Sequence, residues 1–186
     1  MLCCSAAGLT IVAALAACGG SAPSVRLPSK KSSASAAASP SDAPAAAAKQ
    51  AVIDAYLAFW PVSDQAEKAG NATAARAILA PYVDPNYVSF IISGMQSAWA
   101  RGEVNWGASV EHIQSVTVAT LNSGVRTAVV RDCQDDSHDG LASAQTGALL
   151  PGTLGPAHQQ LYASLSLING RWLIEQITSV GDTCTG

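Results

Sequence analysis

The chain has 186 residues, of which 49% are hydrophobic and 12% are charged, and its formal net charge is −3 at pH 7. Beyond residue 50, six Lys and Arg residues face twelve Asp and Glu residues, so this part of the chain carries a net charge near −6. Nucleic-acid binding requires clustered cations that neutralise phosphates, and the sequence has no such cluster. We therefore expect no nucleic-acid partner.

The N-terminal segment has the pattern of an export signal. Its apolar stretch, Ala6–Ala17, is too short for a membrane-spanning helix, which needs roughly 20 apolar residues. The length instead matches the hydrophobic region of a signal peptide. The stretch ends in Leu15-Ala16-Ala17-Cys18, which resembles the bacterial lipobox, a motif whose cysteine thiol is diacylated and whose chain is cut just before that cysteine.

We therefore predict a lipoprotein signal peptide at residues 1–17 and lipidation of Cys18, which anchors the protein to the extracytoplasmic side of the cell membrane. An ordinary secretory signal with an incidental cysteine is the alternative, because no basic residue precedes Arg26. Residues 18–48 are rich in Ala, Ser and Pro, a composition that buries little apolar surface. This composition predicts a flexible tether, followed by one domain at residues 49–186.

Two cysteines remain for the folded domain once Cys3 and Cys4 leave with the signal and Cys18 is acylated. These are Cys133 and Cys184, an even pair in a chain directed to an oxidising compartment, which predicts a disulfide between them. Free thiols and metal ligands are the alternatives. Neither cysteine has a second Cys or His at ligand spacing, which disfavours a zinc site.

The first half of the domain has the spacing of helices. Between Lys49 and Trp60, apolar residues recur every three or four positions, so one face of a helix must be covered. Pro61 is expected to kink or end this helix, and the polar stretch Asp64–Lys68 could extend it after the kink. Asn71 is a candidate N-cap for a second helix. The three helices are predicted over residues 49–60, 72–79 and 86–101.

The second half changes to the pattern of strands. Two turn sequences, Asn122-Ser123-Gly124 and Asn169-Gly170, predict hairpins between runs rich in β-branched residues. The strands are predicted over residues 104–121, 125–133, 141–145, 159–168 and 172–180. Helices that precede antiparallel strands predict an α+β fold, with one face of the sheet packed against the helices.

Three helices followed by a meander whose last strand begins Gly170-Arg171-Trp172 resemble the nuclear-transport-factor-2-like superfamily. The resemblance implies N-terminal helices packed on a curved antiparallel sheet, a cystatin-like cone. Other strings resemble uncharacterised secreted or lipid-anchored proteins of actinobacteria: Leu79-Ala80-Pro81-Tyr82-Val83, Gly102-Glu103-Val104-Asn105-Trp106-Gly107, Asp132-Cys133-Gln134-Asp135 and Cys184. The resemblance covers about residues 50–186 and leaves the function open, because this superfamily includes isomerases, dehydratases, carriers and interaction modules.

One polar segment partly matches a calcium-binding loop. Asp135, Ser137, Asp139 and Gly140 occupy its first, third, fifth and sixth positions, where oxygen ligands and a sharp turn are needed. The twelfth position, which requires a bidentate Glu, is Thr146. We therefore interpret the segment as a solvated connection between strands and expect no metal and no cofactor.

Catalytic groups of the superfamily project into the cone, but no motif in this sequence aligns with them. The titratable residues available on the predicted elements are Asp54, Glu111, His112, His158 and Glu175. A general base needs a shifted pKa and must reach its proton. We interpret all five as solvated and assign no catalytic residue.

Aromatic residues form a candidate pocket. Tyr56, Trp60, Trp99, Trp106 and Tyr162 could line an apolar site, since rings with a polar edge suit ligand binding. The alternative is that these rings belong to the core.

The leading hypothesis is a non-catalytic, lipid-anchored module that binds a protein partner or a small apolar ligand outside the membrane. The alternative is a small isomerase or dehydratase of the cone-fold type, so the assignment as an enzyme is open. A homodimer through the exposed sheet face is a further expectation. An enzyme requires an open cone with a buried ionisable residue at its floor, whereas a module can have its cone filled by aromatic side chains.

Overall fold

Helix α1, Asp42–Lys68, is the long element against which the main sheet packs. The computed structural model of the protein describes residues 42–121, 126–181 and 184–185. The predicted signal peptide, Cys18 and most of the predicted tether lie outside these described residues. None of the described helices is long and apolar enough to cross a membrane.

Helix α1 begins earlier than the sequence pattern predicts, and it ends at Lys68, as the alternative with an extension beyond Pro61 predicts. It starts at Asp42, and Ala48 near its N-terminus is already packed in the core with 7% exposure. It also continues through Pro61 to Lys68, although a proline removes one helical hydrogen bond. Ala66 is fully buried beyond the proline, so tertiary packing stabilises the last turns.

The other described helices agree with the predicted ranges. They are α2, Ala72–Leu79, and α3, Pro85–Ala100. Asn71 is the N-cap of α2, and its side-chain oxygen accepts a hydrogen bond from the Ala74 N–H at 2.9 Å. Asp84 caps α3 in the same way by accepting from the Asn86 N–H at 2.8 Å. Each cap satisfies an N–H group that has no partner within the helix.

The strands form two antiparallel sheets within the described residues. A four-stranded sheet has the order β2-β3-β5-β6, and a two-stranded sheet pairs β1 with β4. The strands are β1 Glu103–Gly107, β2 Ile113–Thr120, β3 Arg126–Gln134, β4 Asp139–Ser143, β5 Gln159–Ile168 and β6 Arg171–Ser179. The predicted α+β class is confirmed. The predicted turn Asn122-Ser123-Gly124 lies outside the described residues, between the antiparallel partners β2 and β3.

The predicted strand over residues 104–121 is wrong, because the structure divides it into β1 and β2 in different sheets. Gly107 ends β1 with a φ of +82°, a conformation that side chains rarely adopt. The glycine also lies directly against the backbone carbonyl of His138, where a Cβ would collide. The chain therefore leaves the small sheet at Gly107 and enters the large sheet at Ile113.

The inner face of the four-stranded sheet packs against α1 and forms the core. Val130 on β3 pairs with Ala163 on β5, and both are almost fully buried. Tyr56 and Phe59 of α1 are buried in the same cluster. Residues that alternate with the inner ones point to the opposite side of the sheet, as a strand period of two requires.

One edge of the large sheet is covered by the chain itself. Ile174 on β6 donates its N–H to the Tyr82 carbonyl at 2.9 Å, and its own carbonyl accepts from the Asp84 N–H at 2.8 Å. Val83 forms a parallel bridge to Ile174. The segment between α2 and α3 therefore satisfies edge groups that another chain could otherwise pair with.

The predicted disulfide between Cys133 and Cys184 is present, with the two Cα atoms 5.7 Å apart. It joins the segment that follows β6 to the end of β3. In the same segment, the Val180 N–H donates to the Gln160 carbonyl at 3.0 Å, and the Gln160 N–H donates to the Gly181 carbonyl at 3.1 Å. The disulfide and this short ladder together hold the chain end against β5.

Replacement of both Cys133 and Cys184 by Ser is expected to lower the free energy of unfolding by about 2 to 4 kcal/mol, because the unfolded chain regains the freedom that the closed loop removed. Urea denaturation of the oxidised protein measures this change. Reductant should lower the urea midpoint of the unmodified protein to that of the double Ser variant. The control Cys18→Ser should leave the midpoint of the oxidised protein unchanged. Equal midpoints for oxidised and reduced protein would contradict the expected contribution of the disulfide.

Candidate functional site

A buried polar pair joins α1 to β3 inside the fold. The Tyr56 hydroxyl donates a hydrogen bond to Asp132 Oδ2 at 2.8 Å, and both residues are 0% exposed. Tyr56 belongs to the apolar face of α1, and Asp132 lies on the inner side of β3 two positions after Val130. The alternation of β3 therefore directs a carboxylate into a core that is otherwise apolar.

The environment shifts the pKa of both groups. Burial is the main cause that raises the pKa of the Tyr56 phenol, and the neighbouring Asp132 carboxylate raises it further. Burial also raises the pKa of Asp132, while the hydrogen bond from Tyr56 acts in the opposite direction by stabilising the carboxylate. At neutral pH Tyr56 is therefore a protonated donor to Asp132.

Two buried polar atoms at this site have no hydrogen-bond partner within the described residues. They are Trp60 Nε1 and Asp132 Oδ1, which is the second oxygen of the Asp132 carboxylate. The Trp60 ring packs edge-on against Tyr56, with centroids 5.8 Å apart, and against Phe59 at 5.2 Å. A buried donor and acceptor without partners are costly, at about 1 to 3 kcal/mol each. The site therefore combines three polar groups with aromatic walls.

This interior is closed to solvent. Tyr56 and Asp132 have no exposed surface, and Phe59 has 3%. A substrate would have to touch the carboxylate or the hydroxyl to exchange a proton with it.

A group of carboxylates lies between α1 and β4. Asn105 Nδ2 donates to Asp139 Oδ1 at 2.7 Å, and the Ser109 hydroxyl donates to Asp139 Oδ2 at 3.4 Å. Burial raises the pKa of Glu67 to about 7, and the negative charges of Asp139 and Asp64 add to the effect. Burial also raises the pKa values of Asp64 and Asp139. We call Asp64, Glu67, Asp136 and Asp139 the acidic cluster.

The acidic cluster does not have the geometry of a metal site. Within the described ranges, no group of three or more His, Cys, Asp or Glu residues is placed to hold a metal ion. Asp135, the first position of the calcium-like loop, instead accepts a hydrogen bond from the Ser137 N–H at 2.9 Å. The Asp139 carboxylate is engaged by Asn105 and Ser109. The Asp135 and Asp139 carboxylates thus bind groups of the chain itself, whereas Asp136 Oδ1 is buried without a hydrogen-bond partner among the described residues.

The five predicted pocket residues do not surround one space. Tyr56 and Trp60 are in contact, and half-buried Trp99 lies near the end of α1, where its Nε1 donates to the Glu67 carbonyl at 2.7 Å. Trp106 is 37% exposed on β1, and Tyr162 is 39% exposed on β5. Tyr162 points away from the core because its neighbours Leu161 and Ala163 are buried.

The predicted titratable residues lie mostly at the surface. Asp54, His112, His158 and Glu175 are exposed. Glu111 is half-buried, its pKa is raised by burial, and it accepts a hydrogen bond from Gln134 at 3.5 Å.

Sequence reasoning missed the role of Asp132 and the acidic cluster. For Asp132 the signal was present, since a period of two along β3 places Asp132 on the same face as Ala128 and Val130. For Glu67 and Asp64 the sequence contains no such signal. Their environment depends on Asp139 of β4, and the sequence pattern does not give the position of that strand.

A surface cleft lies elsewhere, between the start of α3 and β6, with a volume of about 370 Å³. Its lining residues are Asp84, Asn86, Tyr87, Phe90, Glu175, Gln176 and Ile177. We call it the α3–β6 cleft. Unlike the Tyr56–Asp132 pair, it is open to solvent, with Phe90 68% exposed.

Comparison with solved structures gives a weak structural likeness. No protein-family model matches the chain, and no curated protein sequence matches it. The fold is similar to the crystal structure of the intermembrane space region of chloroplast protein ARC6, with a TM-score of 0.36 and 14% sequence identity over 77% of this chain and 97% of that chain. A likeness at this level assigns neither a family nor a function.

Substitution of Tyr56 by Phe is expected to lower the free energy of unfolding by about 1 to 3 kcal/mol, because Asp132 loses the donor that stabilises its buried carboxylate. The loss should be larger at pH 8 than at pH 4, since only the ionised form needs that donor strongly. Urea denaturation at both pH values measures it. Tyr82→Phe is the control, because no hydrogen bond of the Tyr82 hydroxyl is found within the described residues. Equal losses in the two variants would contradict the role of the Tyr56–Asp132 bond.

The acidic cluster predicts that stability falls as pH rises. The pKa of Glu67 is raised from 4.5 to about 7, so its contribution is fully present below about pH 4.5 and is lost as pH rises through about 7, up to about 3 kcal/mol. Glu67→Gln should therefore raise the unfolding midpoint at pH 8 and flatten the slope between pH 5 and pH 8.

Denaturant midpoints at pH 5, 6.5 and 8 check this prediction. Glu175→Gln is the matched control, because the Glu175 side chain is exposed and should not alter the slope. An unchanged slope in Glu67→Gln would contradict the prediction.

Proposed function

We propose that the protein is a lipid-anchored extracytoplasmic module that binds a protein partner and catalyses no reaction. The single observation that carries the proposal is the closed interior. Asp132 is a carboxylate on the inner face of the sheet, and it is 0% exposed beside Tyr56. A group that cannot touch a substrate cannot transfer a proton to it.

The exterior of the large sheet supports binding to another protein. Val129 is 43% exposed and Tyr162 is 39% exposed, and Thr117 beside Val129 is also exposed. Within the described residues, the helices pack against the opposite, inner face. We call the side that carries these residues the outer sheet face. Exposed apolar and aromatic surface of this kind is typical of interaction sites.

The N-terminal sequence supports the location. Leu15-Ala16-Ala17-Cys18 resembles a lipobox, and the residues that follow have the composition of a tether. Such a tether lets a domain reach partners beyond the lipid headgroups. The disulfide agrees with an oxidising compartment.

Photo-crosslinking in the native host is expected to identify contact with one partner. A photoreactive phenylalanine analogue in place of Tyr162 should give an adduct of one discrete mass, whereas the same analogue at Gln65, exposed on α1, should not. An adduct at twice the mass of the chain would identify the partner as a second copy. Incorporation of an alkyne-bearing fatty acid, lost in Cys18→Ser, tests the anchor in the same cells.

A small isomerase or dehydratase is the second candidate. The unpartnered Trp60 Nε1 and Asp132 Oδ1 beside the Tyr56 hydroxyl favour it, because three polar groups meet in one apolar surrounding. Native mass spectrometry distinguishes the candidates. A retained small molecule that Asp132→Asn releases, together with no adduct at position 162, would overturn the binding module in favour of the enzyme.

A further inference from the structure

The α3–β6 cleft has an aromatic wall. The rings of Tyr87 and Phe90 stack with centroids 5.5 Å apart and planes 13° from parallel. Phe90 is 68% exposed, the largest exposed fraction among the large apolar side chains of the described residues. A phenylalanine in that state offers a flat ring to any group that enters the cleft.

The backbone of β6 in this cleft is already satisfied. The Tyr87 hydroxyl accepts a hydrogen bond from the Ile177 N–H at 2.9 Å and donates one to the Ile177 carbonyl at 3.2 Å. A partner therefore cannot add a strand at Ile177, since both groups that a new strand would use are engaged. Recognition in this cleft depends on a side chain of the partner.

The charge of the cleft is negative. Asp84 and Glu175 line it, and no Lys or Arg is among its lining residues. Neither carboxylate forms an ion pair with any residue that the structure describes. The Asp84 side chain also accepts the Asn86 N–H at the start of α3, so Glu175 is the carboxylate with most freedom to bind a cation. The excess of Asp and Glu over Lys and Arg beyond residue 50 also favours binding of a cationic group.

A ring face beside a carboxylate is the surrounding that a guanidinium group prefers. Arginine stacks on aromatic rings and pairs with carboxylates, and each of these contacts strengthens binding about twofold to fivefold at exposed sites. The described residues contain a contact of a guanidinium with a ring, since the Arg126 guanidinium lies 5.8 Å from the centre of the Trp172 ring. The α3–β6 cleft has an exposed ring that no Lys or Arg of the described residues covers.

We propose that the α3–β6 cleft receives an arginine side chain of the protein partner, with its guanidinium group stacked on Phe90 and paired with Glu175. This inference rests on the proposed function and assigns the partner a basic contact residue. Four of the seven lining residues are acidic or amide side chains, which favours this occupant over a wholly apolar ligand.

The test uses the ¹⁵N-labelled full chain and two acetylated, amidated peptides, Gly-Arg-Gly and its citrulline counterpart. Citrulline keeps the shape of arginine and removes its charge. We expect the arginine peptide to shift the amide resonances of residues 84–90 and 175–177, with saturation in the millimolar range, and the citrulline peptide to bind about fivefold more weakly.

Glu175→Gln and Phe90→Ala should each weaken the arginine peptide about threefold to fivefold. Asp54→Asn, which removes an exposed carboxylate of α1, should leave the affinity unchanged. Equal binding of the two peptides, shifts spread over all acidic surfaces, or full affinity in both cleft variants would each overturn the proposal. If the peptides fail in one of these ways and the crosslinked adduct at position 162 is still observed, the proposed function stands and only the role of the α3–β6 cleft is overturned.

Discussion

The fold depends on one constraint: the inner face of the four-stranded sheet must be covered, and α1 is the element that covers it. The apolar residues of α1 pack against β2, β3 and β6, and Tyr56 and Phe59 are buried in the core. A polar group that enters this space must find a partner in it. Asp132 finds one in Tyr56, and this bond fixes the helix against the third strand.

The packing of α1 on the sheet also explains why some carboxylates are partly buried. The last turns of α1 lie beside β4, so Glu67 and Asp64 meet Asp139 at the end of the apolar region. Their repulsion opposes the ionised state and is tolerated because the helix is held by packing elsewhere. Other carboxylates, among them Asp54 and Glu175, are exposed to solvent. The charges of the acidic cluster therefore affect the stability of the protein more than the exposed charges do.

Much of the fold follows from local pattern, and the rest depends on pairing between distant segments. The spacing of apolar residues predicts three helices, and the caps Asn71 and Asp84 fix where two of them begin. The disulfide can be predicted because Cys133 and Cys184 are the two cysteines left for the folded domain. The break between β1 and β2 cannot be predicted from local sequence, because Gly107 is required by the close approach of His138, thirty-one positions later. The candidate pocket was assembled from aromatic residues without their register, and Tyr162 belongs to the outer sheet face for that reason.

The disulfide also limits when the domain can complete its folding. Cys184 follows Cys133 by 51 positions, and β4, β5 and β6 lie between them. In a chain that crosses a membrane from its N-terminus before it folds, Cys133 emerges first and has no correct partner until all three strands have followed. Oxidation can therefore complete the domain only after the meander is delivered in full. In a chain exported in this way, the Cys133 thiol is available to an oxidoreductase or to a wrong partner until then, and the rate of translocation sets the length of that interval.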